Sequence, residues 1–368
     1  MTENNNEFTV DRAFGSLVET MNGVMPWMAQ LYNKEQGGFH CAHSSLQDPK
    51  TFFCSLWDTY LALVTLYKGG LLDTMPQEMR KKLIAYFQSR QDSRDGYFYD
   101  TVRFTDKRFT SRVTGASKAA LTYLGAEPLY PMPGDGQITF MFEELGSVEK
   151  FRSWLQGLDW SNAYNSGSQI SDRKAMINML SEPLRSDILI TLWEFLHGIQ
   201  SDVTGFWGCN PEELSFNYTS GVMKLTQTYK YFNVPLPKAD QICKSAYEVL
   251  KNKTSNFILD YRNIATAFRN VGEMMPDKCC EEDTTHIICL IGLELRRFLH
   301  GDGGFSRFTD RPYYGEENLI LSGGLREGDM NSTMNVANGL RGDLYAFAGL
   351  ECPKLPGSHG FYKMIYPY

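Results

Sequence analysis

A glycine followed by an aromatic residue recurs along this chain at intervals too regular for chance. It stands in KEQGGFHC at Gly38, QDSRDGYFYD at Gly96, QSDVTGFWG at Gly205 and LHGDGGFSR at Gly304. Successive glycines lie 58, 109 and 99 residues apart, so the two later gaps are each about twice the first. Two degenerate copies are therefore expected near 150 and 255, where QGLDWSNAY carries Trp160 and KTSNFILDY carries Phe257. Six units of roughly 50 residues result, a period that signals a stacked or closed repeat.

Each unit has one internal grammar. A helix with charged and apolar residues at helical spacing, such as MPQEMRKKLIAYFQSRQ, leads into the glycine turn. After a polar loop comes a second helix rich in small and apolar residues, such as TGASKAALTYLGAEP. The first kind has a solvated face and the second is apolar nearly all round, which predicts that it is buried. The second helices stop alike, in LVTLYKGG, LTYLGAEP, YKYFNVPLP and YAFAGLECPKLP, with glycine, asparagine or proline where a cap belongs. Strand-like alternation is confined to GQITFMF at 136–142. The pattern predicts an all-α chain: an α/α barrel of six amphipathic outer and six apolar inner helices, one domain over 21–368 after a loose lead-in at 1–20.

The chain has 368 residues, 42% of them hydrophobic and 21% charged, as expected of a globular protein. A formal charge of −7 and the lack of any basic stretch argue against nucleic acid as a partner. No segment has the roughly 20 apolar residues of a membrane-spanning helix, so no integral membrane segment is expected. The N-terminal MTENNNEFTVDR is polar and acidic, unlike a signal peptide. Eight irregularly spaced cysteines, Cys279 and Cys280 adjacent among them, fit a reducing compartment better than a disulfide framework, and a cytoplasmic location is expected.

A glycine-aromatic turn closing an outer helix, followed by an inner helix that opens in a polar cluster, resembles the repeat of terpenoid cyclases and protein prenyltransferase β-subunits, the α/α-toroid superfamily. The resemblance runs from about residue 20 to 350. It implies that Phe39, Tyr97, Phe206 and Phe305 wedge adjacent helix pairs together, and that the N-termini of the inner helices open on one rim around a central cavity. That rim favours anions. Its polar residues are Asp58, Arg112, Asn165, Gln169, Asn217, Tyr218, Asp329 and Asn331, which form the expected substrate-binding set. Each of Asp, Ser, Thr and Asn at such a place also serves as a helix cap, at about 1 kcal/mol.

The run CCEEDTTHIICLIGLEL at 279–295 is similar to the acid motif of class II terpene cyclases, DxDD or DxDTT at the head of an inner helix. The resemblance puts Asp283 at the proton-donating position, Thr284 and Thr285 after it and Glu281 where the first Asp stands. The same run resembles the prenyltransferase D-x-x-H-T, with His286 at the zinc-binding histidine. Ile287 replaces that Thr, and no Asp-x-Cys partner occurs on an earlier inner helix, so no metal site is expected. Asp283, Glu281 and His286 are thus the candidate catalytic residues.

An acid-initiated cyclisation needs a carboxylic acid kept protonated by burial or by neighbouring carboxylates, and aromatic walls that stabilise carbocations. Aromatics make up 13% of the chain. The expected activity is isoprenoid cyclisation on an apolar or anionic small molecule. No cofactor is required, with Mg entering only for a diphosphate substrate. Two alternatives stand beside it: an (α/α)6 carbohydrate hydrolase or polysaccharide lyase, since carboxylates with aromatics suit both, and a non-catalytic binder of an acidic small molecule.

Overall fold

A computed structural model of the protein describes residues 9–100, 107–133, 142–208, 210, 212–275, 281–316 and 319–367. The candidate strand at 136–142 lies almost wholly outside them. The described chain is mostly helical. In order come α1 (Val10–Glu19), α2 (Val24–Gln30), the short strands β1 (Tyr32–Asn33) and β2 (Gly38–Phe39), α3 (Leu56–Lys68), α4 (Gln77–Gln88), α5 (Lys107–Leu124) and α6 (Val148–Gln156). Then follow α7 (Ala163–Met179), α8 (Leu184–Gly198), α9 (Phe216–Tyr231), α10 (Ala239–Asn252), α11 (Ile258–Met274) and α12 (Glu281–Leu295). α13 (Met330–Met334) continues through a π-helical stretch, Asn335–Leu340, into α14 (Arg341–Phe347), and α15 (Phe361–Ile365) ends the chain.

The repeated turn is real, with a register shared by all four copies. Gly37, Gly96, Gly205 and Gly303 take φ of 73°, 74°, 73° and 96°. Two residues after each stands a buried aromatic: Phe39, Phe98, Trp207 and Phe305. The wedge in the second unit is therefore Phe98 and not Tyr97, which is half-buried, and in the third unit Trp207 joins the buried Phe206. Burying each such ring contributes about 1.5–3 kcal/mol. The backbone N–H of Phe39, Phe98 and Phe305 donates to a threonine on the helix that follows: Thr59 (3.0 Å), Thr114 (3.1 Å) and Thr333 (2.9 Å). Gln91 and Gln200 repeat another bond: each side-chain amide donates back to its own turn glycine, at 3.1 Å to Gly96 O and 2.9 Å to Gly205 O. A Cβ on Gly96 would sit 2.1 Å from Pro131 O, so that turn admits only glycine.

The helix stops also behave as the sequence predicts. Leu71, Ala126, Val234 and Leu350 each donate N–H to the carbonyl five residues back, Leu66, Leu121, Tyr229 and Tyr345, at 2.9–3.0 Å. The residue before each is left-handed: Gly70, Gly125, Asn233 and Gly349. This is the Schellman closure, which satisfies carbonyls at a helix end.

Packing divides the helices into two sets. α3 packs on α5, α7 on α9, α9 on α11, α11 on α14 and its π-helical lead, and α13 on α3. Small residues allow the closest of these approaches: a Cβ on Gly221 of α9 would lie 2.7 Å from Ala163 Cβ of α7. The amphipathic helices lie against these: α4 on α5, α10 on α11, and α12 on α1 and α10. The first and last parts of the chain are joined directly, since Met330 N–H donates to Cys41 O at 2.7 Å and Ser45 Oγ donates to Leu321 O at 2.6 Å.

Two expectations are corrected here. The stretch read as a loose lead-in carries α1, whose Ala13, Phe14 and Leu17 are buried, with Phe14 stacked on Tyr345 at 3.9 Å. The alternation of helices also slips by one near the end: the helix that packs along α9 and α14 is α11, whereas α12, which carries the Asp283 motif, joins the amphipathic set.

Candidate functional site: a basic cavity

Asp58, Asp329 and Asn331 meet in a buried polar knot at the heads of α3 and α13. Ser55 Oγ accepts from Asp58 N–H at 3.0 Å and donates to Asp58 Oδ2 at 2.7 Å, while Asp329 Oδ1 caps α13 by accepting from Ser332 N–H at 2.8 Å. Glu316, from the segment before α13, accepts from Arg307 and from Asn331 Nδ2. Asp100 Oδ1 accepts from Leu56 N–H at 2.9 Å, closing the first turn of α3. Burial pushes the Asp58 carboxyl up to about 8 against the Ser55 hydrogen bond, with Asp329, Glu316 and Asp100 reinforcing the rise. Burial likewise lifts Asp329 to about 6 against Arg307, and Asp100 to about 6 against the Leu56 N–H. Asp100 and Asp329 cap helices, Asp58 holds the cap Ser55, and the Ala42–Asp329 bridge ties the early and late parts of the chain together.

Asn165 and Gln169 are half-buried on α7, and Asn217 Nδ2 donates to Ser161 O at 2.7 Å. Tyr218 is buried, its hydroxyl accepting from Asn210 N–H at 3.1 Å. Arg112 is exposed, 5.6 Å from the centre of the Trp57 ring. Asp283 and His286 are exposed on α12, Asp283 at a shallow cleft of about 110 Å³ with Asp240 and Tyr247, and His286 bonded to the Tyr247 hydroxyl. The expectation of a buried, desolvated acid at Asp283 is thus overturned, because the buried face of α12, with Ile287, Ile288 and Ile291, leaves Asp283 at its exposed edge. The Glu281 side chain lies outside the described residues.

A different set of side chains lines a cavity of about 430 Å³. It is walled by α3, α7, α9, α11 and the π-helical lead into α14, towards the C-terminal ends of α3 and α9. Five cations line it, Lys68, Lys174, Lys230, Arg262 and Arg269, against one carboxylate, Asp343. Arg269 is matched by Asp343 at 2.8 Å and by Glu273 at 3.0 Å, and Glu273 also accepts from Lys230. Among the described residues Lys68, Lys174 and Arg262 make no ion pair, and the buried Nε of Arg262 has no hydrogen-bond partner. Burial holds the Lys174 ammonium below its ordinary value, with Lys224 adding repulsion against the help of Asp172.

Helix electrostatics explain part of this set. Lys68 and Lys230 stand in the last turns of α3 and α9, where the dipole favours a cation. Lys174 and Arg262 stand inside α7 and in the second turn of α11, where it gives no such help. Sequence reasoning missed all five cations because it searched the helix heads. A signal was present: Arg262, Thr266, Arg269 and Asn270 follow at i, i+4, i+7 and i+8 in α11, a polar stripe on a helix whose middle is otherwise largely buried.

No group of three or more metal-ligating side chains occurs among the described residues, and none of their helices is long and apolar enough to cross a membrane. No protein-family model matches the chain, and no curated protein is significantly similar to it.

Proposed function

We propose that the chain is an α/α toroid whose central cavity binds an anionic small molecule. The toroid reading is supported by the neighbour order α7, α9, α11, α13–α14, α3 and α5, by the amphipathic helices packed against this set, and by the bonds that join residues 41–45 to 321–330. The single observation that carries the ligand class is the surplus of cations in the cavity: Lys68, Lys174 and Arg262 line it without a carboxylate to match them. Lys68 is exposed and Lys174 and Arg262 are half-buried, so their charge is partly withdrawn from water, and an anion is the counter-charge that relieves it.

The cyclase and carbohydrate expectations draw less support. A proton-initiated reaction needs its acid in the cavity, and Asp283 is exposed on α12. A glycosidase needs two carboxylates across its cleft, and Asp343 alone lines this one. A thermal-shift series with inorganic phosphate, pyrophosphate, sulfate and citrate, with sodium chloride matching the ionic strength, tests the proposal. Stabilisation by a multivalent anion beyond the chloride control is expected in the wild type and is lost in Lys174→Gln/Arg262→Gln; equal shifts in both proteins contradict it.

A further inference from the structure

A second cavity, of about 290 Å³, adjoins the first and shares Lys68 and Asn338 with it. Its walls come from the C-terminal end of α3, the start of α14 and the segment 352–355. Arg341 lines it and is only 6% exposed. The guanidinium donates from Nε to Ala337 O at 3.0 Å and from Nη1 to Pro353 O at 2.8 Å, both neutral carbonyls, and makes no ion pair with any described residue. The nearby Cys352 thiol, pushed up by burial, supplies no negative charge. Lys354 and Lys68 add two more cations, and no carboxylate lines this cavity. A buried guanidinium with only carbonyl partners keeps its full charge uncompensated, and planar guanidinium groups match phosphate and carboxylate oxygens.

Building on the anion-binding reading of the central cavity, we infer that the second cavity is a further anion subsite, with Lys68 between the two, so that the ligand is a small molecule carrying anionic groups at both ends. Phosphate and carboxylate share the chemistry that Arg341 and Lys354 recognise. The ligand is therefore two-headed, one head against Lys174 and Arg262 and the other against Arg341 and Lys354.

Calorimetric titration at fixed ionic strength tests this with two matched pairs: glucose 1,6-bisphosphate against glucose 6-phosphate, and adipate against hexanoate. One two-headed probe is expected to bind at least tenfold tighter than its single-headed counterpart, and the pair that does so names the head group. Lys354→Gln, at an exposed position, should cut the two-headed affinity about fivefold and leave the single-headed affinity within twofold. Arg341→Met should abolish the two-headed gain; if that variant fails to fold, Lys354→Gln decides alone. Single-headed binding with no gain from a second head, or a gain that survives Lys354→Gln, overturns the second subsite and leaves the central one standing. No binding of any probe overturns both.

Discussion

Gly339 and Arg262 fit against each other in the wall of the basic cavity: a Cβ on Gly339 would lie 3.4 Å from Arg262 Nε and 3.7 Å from its Cγ. The bare backbone of the π-helical lead thus gives the guanidinium its place. Gly339→Ala should keep the fold, since a methyl there meets only the flexible arginine. Gly339→Leu should fill the cavity, lowering affinity for inorganic phosphate at least tenfold while the melting temperature stays within a few degrees. Unchanged phosphate affinity in a folded Gly339→Leu protein would place the ligand elsewhere.

The unmatched cations should cost stability in the absence of ligand. Lys174→Gln relieves both desolvation and repulsion by Lys224, so the ligand-free variant should be as stable as the wild type or more so, by up to about 1 kcal/mol in urea unfolding. A loss of more than about 1 kcal/mol would show that Lys174 serves the fold.

The carboxylate knot sets a pH dependence whose sign follows from Asp58. Its pKa is about 8 in the folded protein against an ordinary value of 3.8, so the folded state holds the proton more tightly than the unfolded one. Stability from this group is complete below pH 4 and is lost as pH rises towards 8. Asp58→Asn, which still accepts from Ser55, removes that loss. Between pH 5 and pH 8 its urea midpoint should fall less than that of the wild type, with a gain on the order of 1–3 kcal/mol at pH 8. Parallel curves for the two proteins would contradict the assignment.

Two glycines with φ of 74° separate strain from crowding. Gly125 has nothing within 4 Å of a built Cβ, whereas Gly96 has Pro131 O at 2.1 Å. Gly125→Ala should cost about 1 kcal/mol from backbone conformation alone. Gly96→Ala should cost at least about 3 kcal/mol, because Pro131 belongs to the segment that follows α5 and must move. Equal losses by chemical denaturation would refute this account of the turn.

The helical repeat was legible because its signals are local. A left-handed glycine, a Schellman stop and a buried aromatic each announce themselves within a few residues, and Gly70, Gly125, Asn233 and Gly349 stand where the sequence places them. Register was harder: Tyr97 and Phe98 are adjacent aromatics, and only the packing shows which one points inward. The site was misread for a longer-range reason. Helix-head residues serve their own helices, Asp329 as the cap of α13 and Asp58 as the partner of the cap Ser55 on α3, whereas the cavity is assembled from positions on separate helical segments. The run IICLIGL after Asp283 signals burial on one face of α12 without saying which face carries the acid.

The central claim is that Lys174 and Arg262 face an anion. Its most direct test is calorimetric titration of inorganic pyrophosphate, at constant ionic strength, into the wild type and into a folded Lys174→Gln/Arg262→Gln variant. The account predicts saturable binding in the wild type, weakened at least twentyfold in the double variant with its melting temperature maintained. Absence of saturable binding to the wild type, or equal affinity in the two proteins, would contradict it.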